Sequence, residues 1–272
     1  MVWRDQTLSV MVDPFRGTIR SYDMRLARQA ARTLALCVFG AALGTVAQAQ
    51  DEQATRMKTA LASPGRPQAD KDRDAARKPI ESVQFLGIKT GQSVIDVFAF
   101  GGWFTEVLSA AVGPTGKVYG QNPDFLTSRA EFVTAEKARD DRLGNVTPVH
   151  ADLAAGSVKN ADAAITALNL HDVYNMGGEA GAVAFAKGVF DSLKPGGVFG
   201  VIDHAGIAGQ DNKAFHRIQI ENAREVLTKA GFKIEAESKI LANPADDHTK
   251  AVRDPSVVGH TDQFIIRARK PG

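Results

Sequence analysis

The chain has 272 residues, 24% charged and 44% hydrophobic, with a formal charge of +2 at neutral pH. That balance is ordinary for a folded globular protein and excludes collagen-like, low-complexity and disulfide-framework chains. Residues 1–49 hold six Lys/Arg, three Asp/Glu and the single cysteine, Cys37, so residues 50–272 carry −1 and no thiol. A cysteine nucleophile and a cysteine metal site are thereby excluded from them, and nothing in their charge supports nucleic-acid binding.

From Met24 the N-terminus has the layout of a cleavable secretion signal. Arg25, Arg28 and Arg32 precede an apolar stretch from Leu34 to Val46, and Ala47-Gln48-Ala49 supplies the small residues of a cleavage site. The stretch is shorter than the about 20 residues a membrane span needs. Leu36 before Cys37 argues against lipidation. Residues 1–23 precede an otherwise complete signal, so Met24 is the expected start, Ala49 the expected last leader residue, and the periplasm or the medium the expected destination. No stable membrane insertion is expected once the leader is gone.

Residues 50–69 are polar and rich in Pro, Gly and charge, which predicts a flexible lead, with a short helix near 70–86. About 190 residues follow, enough for one domain. Ser93–Phe98 is a β-branched run that predicts a first strand, and Trp103, Phe104, Val107, Leu108 and Ala111 share one face of a helix over 103–112. A second strand at 117–121, a helix over 127–139 and a third strand at 146–150 come next. A fourth strand is expected at 163–168, and a helix over 179–193 that stops at Lys194-Pro195-Gly196-Gly197. A fifth strand at 198–203 leads to a helix over 217–230 ending at Gly231. The tail alternates through "FKIEAESKIL", then a long loop reaches a last strand in "DQFIIRAR". Alternating strands and helices imply an α/β, doubly wound, mostly parallel seven-stranded sheet. The last connection carries no helix, so the final strand is expected to be antiparallel.

The segments "VIDVFAFGGWFTEVL", "LKPGGVFGVIDHA", "FHRI", "AGFKIEAES" and the tail "NPADDHTK…GHTDQF" carry a resemblance that spans roughly 70–271. Over these residues the chain resembles the class I S-adenosylmethionine-dependent methyltransferases. It looks most like a bacterial group of predicted small methyltransferases, many of them apparently exported. The resemblance implies S-adenosylmethionine as cofactor. Asp96 would meet the ammonium of its methionine moiety, and Gly101 and Gly102 would bring backbone N–H groups to it at a helix N-terminus. Asn122 stands where such enzymes place the acid that grips the ribose, and Asp152 fits the acid near the adenine amino group. Asn169, at the end of the fourth strand, completes the set. The pattern Asp-x-Gly-x-Gly-x-Gly reads Asp96-Val97-Phe98-Ala99-Phe100-Gly101-Gly102, with only its last glycine in place. A positive φ at Phe100 would bring strain of about 1–3 kcal/mol.

All six histidines lie at or beside predicted strand ends or in the loops that leave them. Parallel strands share one C-terminal edge, where ligands bind, so several of these rings are expected to meet in one cleft. His171 with Asp172 suits general-base work on a hydroxyl or amine, and Asp203-His204 offers the same pair reversed. Tyr174, His216 and Arg217 are second-line contacts. Asp172, Asp203 and the histidines have donors suited to a metal, but no H-x-x-x-H or comparable spacing occurs, so no metal is expected. The expected activity is methyl transfer to a small molecule. The alternatives are an exported, non-catalytic binding protein that has lost the cofactor, and hydride transfer on a dinucleotide. The second is disfavoured by the terminal strand pair and by Asn122 in place of an acid.

Overall fold

The computed structural model describes residues 47–127 and 129–272. Residues 52–272 form one compact unit, which holds the sheet and both cavities described below. The signal-sequence reading falls outside the described residues except at 47–49, which are helical.

The sheet begins with β1 (Ser93–Val97), β2 (Lys117–Asn122) and β3 (Val146–His150). It continues with β4 (Ala161–Ala167) and β5 (Leu193–His204), and ends with β6 (Lys233–Ser238) and β7 (Gln263–Arg269). The spatial order is β3-β2-β1-β4-β5-β7-β6, and β7 runs antiparallel to both its neighbours. The order reverses between β1 and β4, so the ligand crevice of an open α/β sheet belongs at their C-terminal ends. Period-2 alternation sorts the side chains to two faces. Ile95, Val97, Phe199 and Val201 join one core. Val94, Ile165 and Ile202 join the other.

The first core is covered by α8 (Leu170–Ser192) and α9 (Ile220–Lys229), the second by α4 (Pro79–Leu86) and α5 (Trp103–Val112). Gly200 is required by this second packing, since a Cβ there would stand 2.7 Å from Leu86 Cδ1. Two further helices, α6 (Asp124–Thr127) and α7 (Ala130–Asp140), connect β2 to β3.

Three expectations are corrected. Residues 50–69 are not a flexible lead. A helix, α1, covers 47–61, and its Met57 and Leu61 are buried in the second core. Burying such a side chain stabilises by about 1.5–3 kcal/mol. Gln53 donates to the carbonyls of Ile88 and Ala111, and the fully buried Arg66 donates to Asp74 and stands 3.6 Å from Glu106. Of this segment's charges, Arg66 is spent on internal ion pairs and Arg56 on the carbonyls of Ala110 and Ala111. The single helix near 70–86 is three short ones, α2 (Gln68–Lys71), α3 (Asp74–Arg77) and α4. Pro79 starts α4 and disfavours helical backbone at the residue before it, and Lys78 takes φ 42°. The helix expected over 179–193 begins at Leu170 and kinks at Gly178 (φ 63°, ψ −170°). "LHDVYN" is therefore its first turns rather than a loop.

Candidate active site

The turn between β1 and α5 keeps the left-handed backbone of a glycine loop with only the last of its three glycines. Phe98, Phe100 and Gly102 have φ of 57°, 46° and 78°. These are the three positions the Asp-x-Gly-x-Gly-x-Gly pattern reserves for glycine. A left-handed residue with a Cβ costs about 1–2 kcal/mol. The surroundings hold both phenylalanines there. The Phe98 ring packs on Phe185 (5.2 Å) and Phe100 (6.2 Å), and Phe100 on Phe132 (6.1 Å). The Phe98 amide donates to Gln121 Oε1 (3.2 Å) and the Phe100 amide to Asn122 Oδ1 (2.8 Å).

Several residues expected to meet the cofactor have partners within the protein. Asn122 is buried, and its Nδ2 donates to Glu136, so both ends of its amide are engaged within the protein. Asp96 is also buried and accepts from the Thr105 hydroxyl at 2.6 Å. Burial raises its pKa to about 6, against the opposing pull of Thr105 and Arg139. A Cβ on Gly102 would lie 1.7 Å from Arg139 Nη1, so a buried guanidinium fills the space that this glycine leaves. Neither terminal nitrogen of Arg139 has a hydrogen-bond partner among the described residues. Gly101 is exposed and would tolerate a side chain. Asn169 caps α8 without a side-chain bond to the helix; its Nδ2 lies 3.4 Å from Phe98 O. Asp152 is exposed at the rim of a cavity of about 290 Å³ walled by Phe98, Phe185, Gln121 and Val173.

The second centre is where the histidines meet. Asp203, fully buried at the end of β5, accepts from the His171 amide (2.8 Å), the His204 amide (2.7 Å) and His171 Nδ1 (2.6 Å). The other ring nitrogen, His171 Nε2, is 3.3 Å from Asp172 Oδ1, and His216 Nδ1 reaches the same oxygen at 2.9 Å. His204 Nδ1 pairs with the Thr261 hydroxyl at 2.7 Å. The rings of His204 and His216 stand 5.4 and 5.8 Å from that of His171. Leu168 and His216 both hold positive φ, 62° and 53°, and such strain concentrates at functional sites.

Electrostatics separates the two central rings. Burial disfavours a charge on His171, but Asp203 and Asp172 outweigh it and raise its pKa to about 9. Burial lowers His204 to about 4, and the positive charges of His171, Arg217 and Arg77 reinforce this beyond the pull of Asp203. At neutral pH His171 is an imidazolium and His204 is neutral. Of the two, the neutral His204 ring is the one able to accept a proton at that pH. The Asp172 carboxyl is held down at about 2, chiefly by the His171 hydrogen bond.

These groups line a cavity of about 420 Å³. His260 reaches it as well, whereas His150 pairs with Glu136 (2.5 Å) and His248 with Asp262 (3.0 Å), outside it. Arg217 is a structural residue, fully buried and bidentate to Asp246. Tyr174 packs against the first core. Sequence reading missed Asp72 and Arg73, in the turn between α2 and α3, and Arg77 at the end of α3, which wall the cavity, and the exposed Arg253. The Arg77 guanidinium lies 4.9 Å over the Trp103 ring. The one local signal for this wall is the charged run Asp72-Arg73-Asp74 so close to Arg77, and a charged run by itself also fits a solvated face.

The sheet order with its inserted antiparallel β7 defines the class I methyltransferase fold. Solved structures with this fold include a S-adenosylmethionine-dependent methyltransferase from Aquifex aeolicus, 19% identical, TM-score 0.54, covering 79% of this chain and 97% of that one. The [4+2]-cyclase SpnF is 22% identical with a TM-score of 0.55, covering 77% and 85%. An arsenic(III) S-adenosylmethionine methyltransferase from Chlamydomonas reinhardtii is 16% identical, TM-score 0.51, covering 80% and 73%. No family model and no curated protein matches the sequence.

Proposed function

We propose that this chain is an exported enzyme that transfers a methyl group from S-adenosylmethionine to a small acidic molecule. The observation that carries the reading is the backbone of the β1–α5 turn, left-handed at 98, 100 and 102 although two of those residues are phenylalanine. The residues present fit the cofactor at its heterocycle. Phe98 and Phe185 offer aromatic walls, and Asp152 a carboxylate for an amino group. Bound there, S-adenosylmethionine supplies an electrophilic methyl group on a sulfonium. Three arginines against two aspartates in the wall of the larger cavity favour an anionic acceptor. His171 and Asp172 hold that acceptor in place, and neutral His204 takes its proton. Positioning contributes most, because methyl transfer needs the nucleophile in line with the sulfonium. A charge of −1 over residues 50–272 disfavours a nucleic-acid acceptor.

Calorimetric titration with S-adenosylmethionine and S-adenosylhomocysteine is expected to give heat, and NAD none. Absence of heat with both sulfur ligands overturns the reading. Phe100→Gly should keep or strengthen binding, since it removes a ring and retains the turn. A second reading is a different reaction on the same fold. It is favoured by the internal engagement of Asn122, Asp96 and Arg139, and the cyclase among the fold neighbours gives it precedent.

A further inference from the structure

Within the larger cavity, three donor groups from two separate segments already converge. The ligand atoms of His171, Asp172 and His216 all lie within 4.8 Å of one another. Around Asp172 Oδ1 the spacings are tighter, 3.3 Å to His171 Nε2 and 2.9 Å to His216 Nδ1. Donors bound about 2.0–2.1 Å from one tetrahedral ion stand about 3.3 Å apart, so little movement separates this arrangement from a coordination shell.

A second feature is independent of that convergence. A metal-binding histidine characteristically gives its remaining N–H to a carboxylate, which fixes the ring and its tautomer. His171 does this through Nδ1 to the fully buried Asp203, and Asp203 is itself fixed by two backbone amides. The arrangement leaves Nε2 as the atom presented to Asp172 and His216. The sequence hides such a site, because its ligands come from the first turn of α8 and from the loop before α9.

We propose that His171 Nε2, the Asp172 carboxylate and His216 Nδ1 bind a divalent transition metal ion of the zinc class, with Asp203 as the positioning residue. Two imidazoles and a carboxylate suit zinc, cobalt or iron better than magnesium or calcium, which prefer all-oxygen shells. The ion takes the place of the proton on His171 Nε2, which is released to solvent on binding. Three protein ligands leave a position open towards the cavity, as in catalytic rather than structural zinc sites. His204, paired with Thr261, lies outside the ligand set and stays available for a proton. For its chemical role the ion rests on the enzymatic reading above: it would hold the acceptor's oxygen and acidify its hydroxyl, the proton passing to His204. Binding itself rests only on this geometry.

The test uses the metal alone. The full chain, stripped with chelator, is titrated with Co²⁺ and followed by visible absorption, then with Zn²⁺ by calorimetry. One ion per chain is expected, with a Co²⁺ d–d band that Zn²⁺ abolishes. Asp172→Asn and His216→Ala, both at partly exposed residues, should lose the band while keeping the wild-type circular dichroism. Asp203→Asn should weaken binding by about 10–100-fold without removing a ligand. His150→Gln, a histidine outside the cavity, should change nothing. No band, or a band that survives both ligand substitutions, overturns the proposal. Metal binding without heat from S-adenosylmethionine would sink the cofactor reading alone, and the converse would sink the metal site alone.

Discussion

Replacing Asp203 by Asn tests the electrostatic heart of the cavity with almost no change of volume. The native carboxylate accepts three hydrogen bonds, from two amides and one ring N–H. An asparagine oxygen replaces only one side of that set, and its NH₂ must face a donor, leaving a buried N–H unsatisfied at about 1–3 kcal/mol. His171 also loses the charge that sustains its proton. A fall from about 9 to the ordinary 6.5 corresponds to about 3 kcal/mol, at about 1.36 kcal/mol per pH unit. The sign follows from linkage: a folded pKa raised above the unfolded one stabilises fully below pH 6.5, and that part is lost as pH rises through about 9. Urea unfolding in chelator should therefore show a loss of about 3–5 kcal/mol at pH 6, the range for breaking a buried ion pair. At pH 10 the loss should be smaller by about 3 kcal/mol, because the native imidazole is then neutral too. NMR titration of the His171 ring should find its midpoint near 9 in the wild type and clearly lower in the variant. Equal penalties at both pH values, or an unmoved midpoint, would refute the reasoning.

Gly102→Ala should destabilise by about 2–5 kcal/mol, of which about 1–2 is the left-handed backbone and the rest displacement of Arg139. In an Arg139→Ala background only the backbone part should remain, and equal penalties in both backgrounds would show that the guanidinium does not rest on that glycine. Met57→Ala should lower stability by about 2–5 kcal/mol in denaturant melts, whereas no effect would return α1 to the status of a loose lead. Acidification from pH 6.5 towards 4 should cost stability because His204, its pKa lowered to about 4, must accept a proton on unfolding. His204→Gln should flatten that part of the pH profile, and an unchanged slope would mean the ring is not held neutral.

The sheet was legible in the sequence because its signals are local. "SVIDV" and "FGVID" are apolar runs of strand length, the alternation of "FKIEAESKIL" marked the sixth strand, and the helix-free connection after it marked the antiparallel sense of the last. The gathering of His171, His204 and His216 followed from one topological fact, that parallel strands end at a common edge. What misled was composition. A polar, charged stretch at 50–69 looks solvated until Arg66 is found buried between Asp74 and Glu106.

The sequence by itself determined the order of strands and helices, the edge on which any site must lie, and the altered residues of the β1–α5 turn. Periodicity and turn chemistry act over a few residues, so they are written in the chain. Only the tertiary structure decided that Phe98 and Phe100 hold glycine-like backbone and that Asn122 is spent on a loop amide. It alone set His171 against His204 in charge. Those outcomes depend on contacts across tens of residues, Asp203 to His171 and Arg139 to Gly102 among them, and pairing over such separations leaves no periodic trace in the sequence.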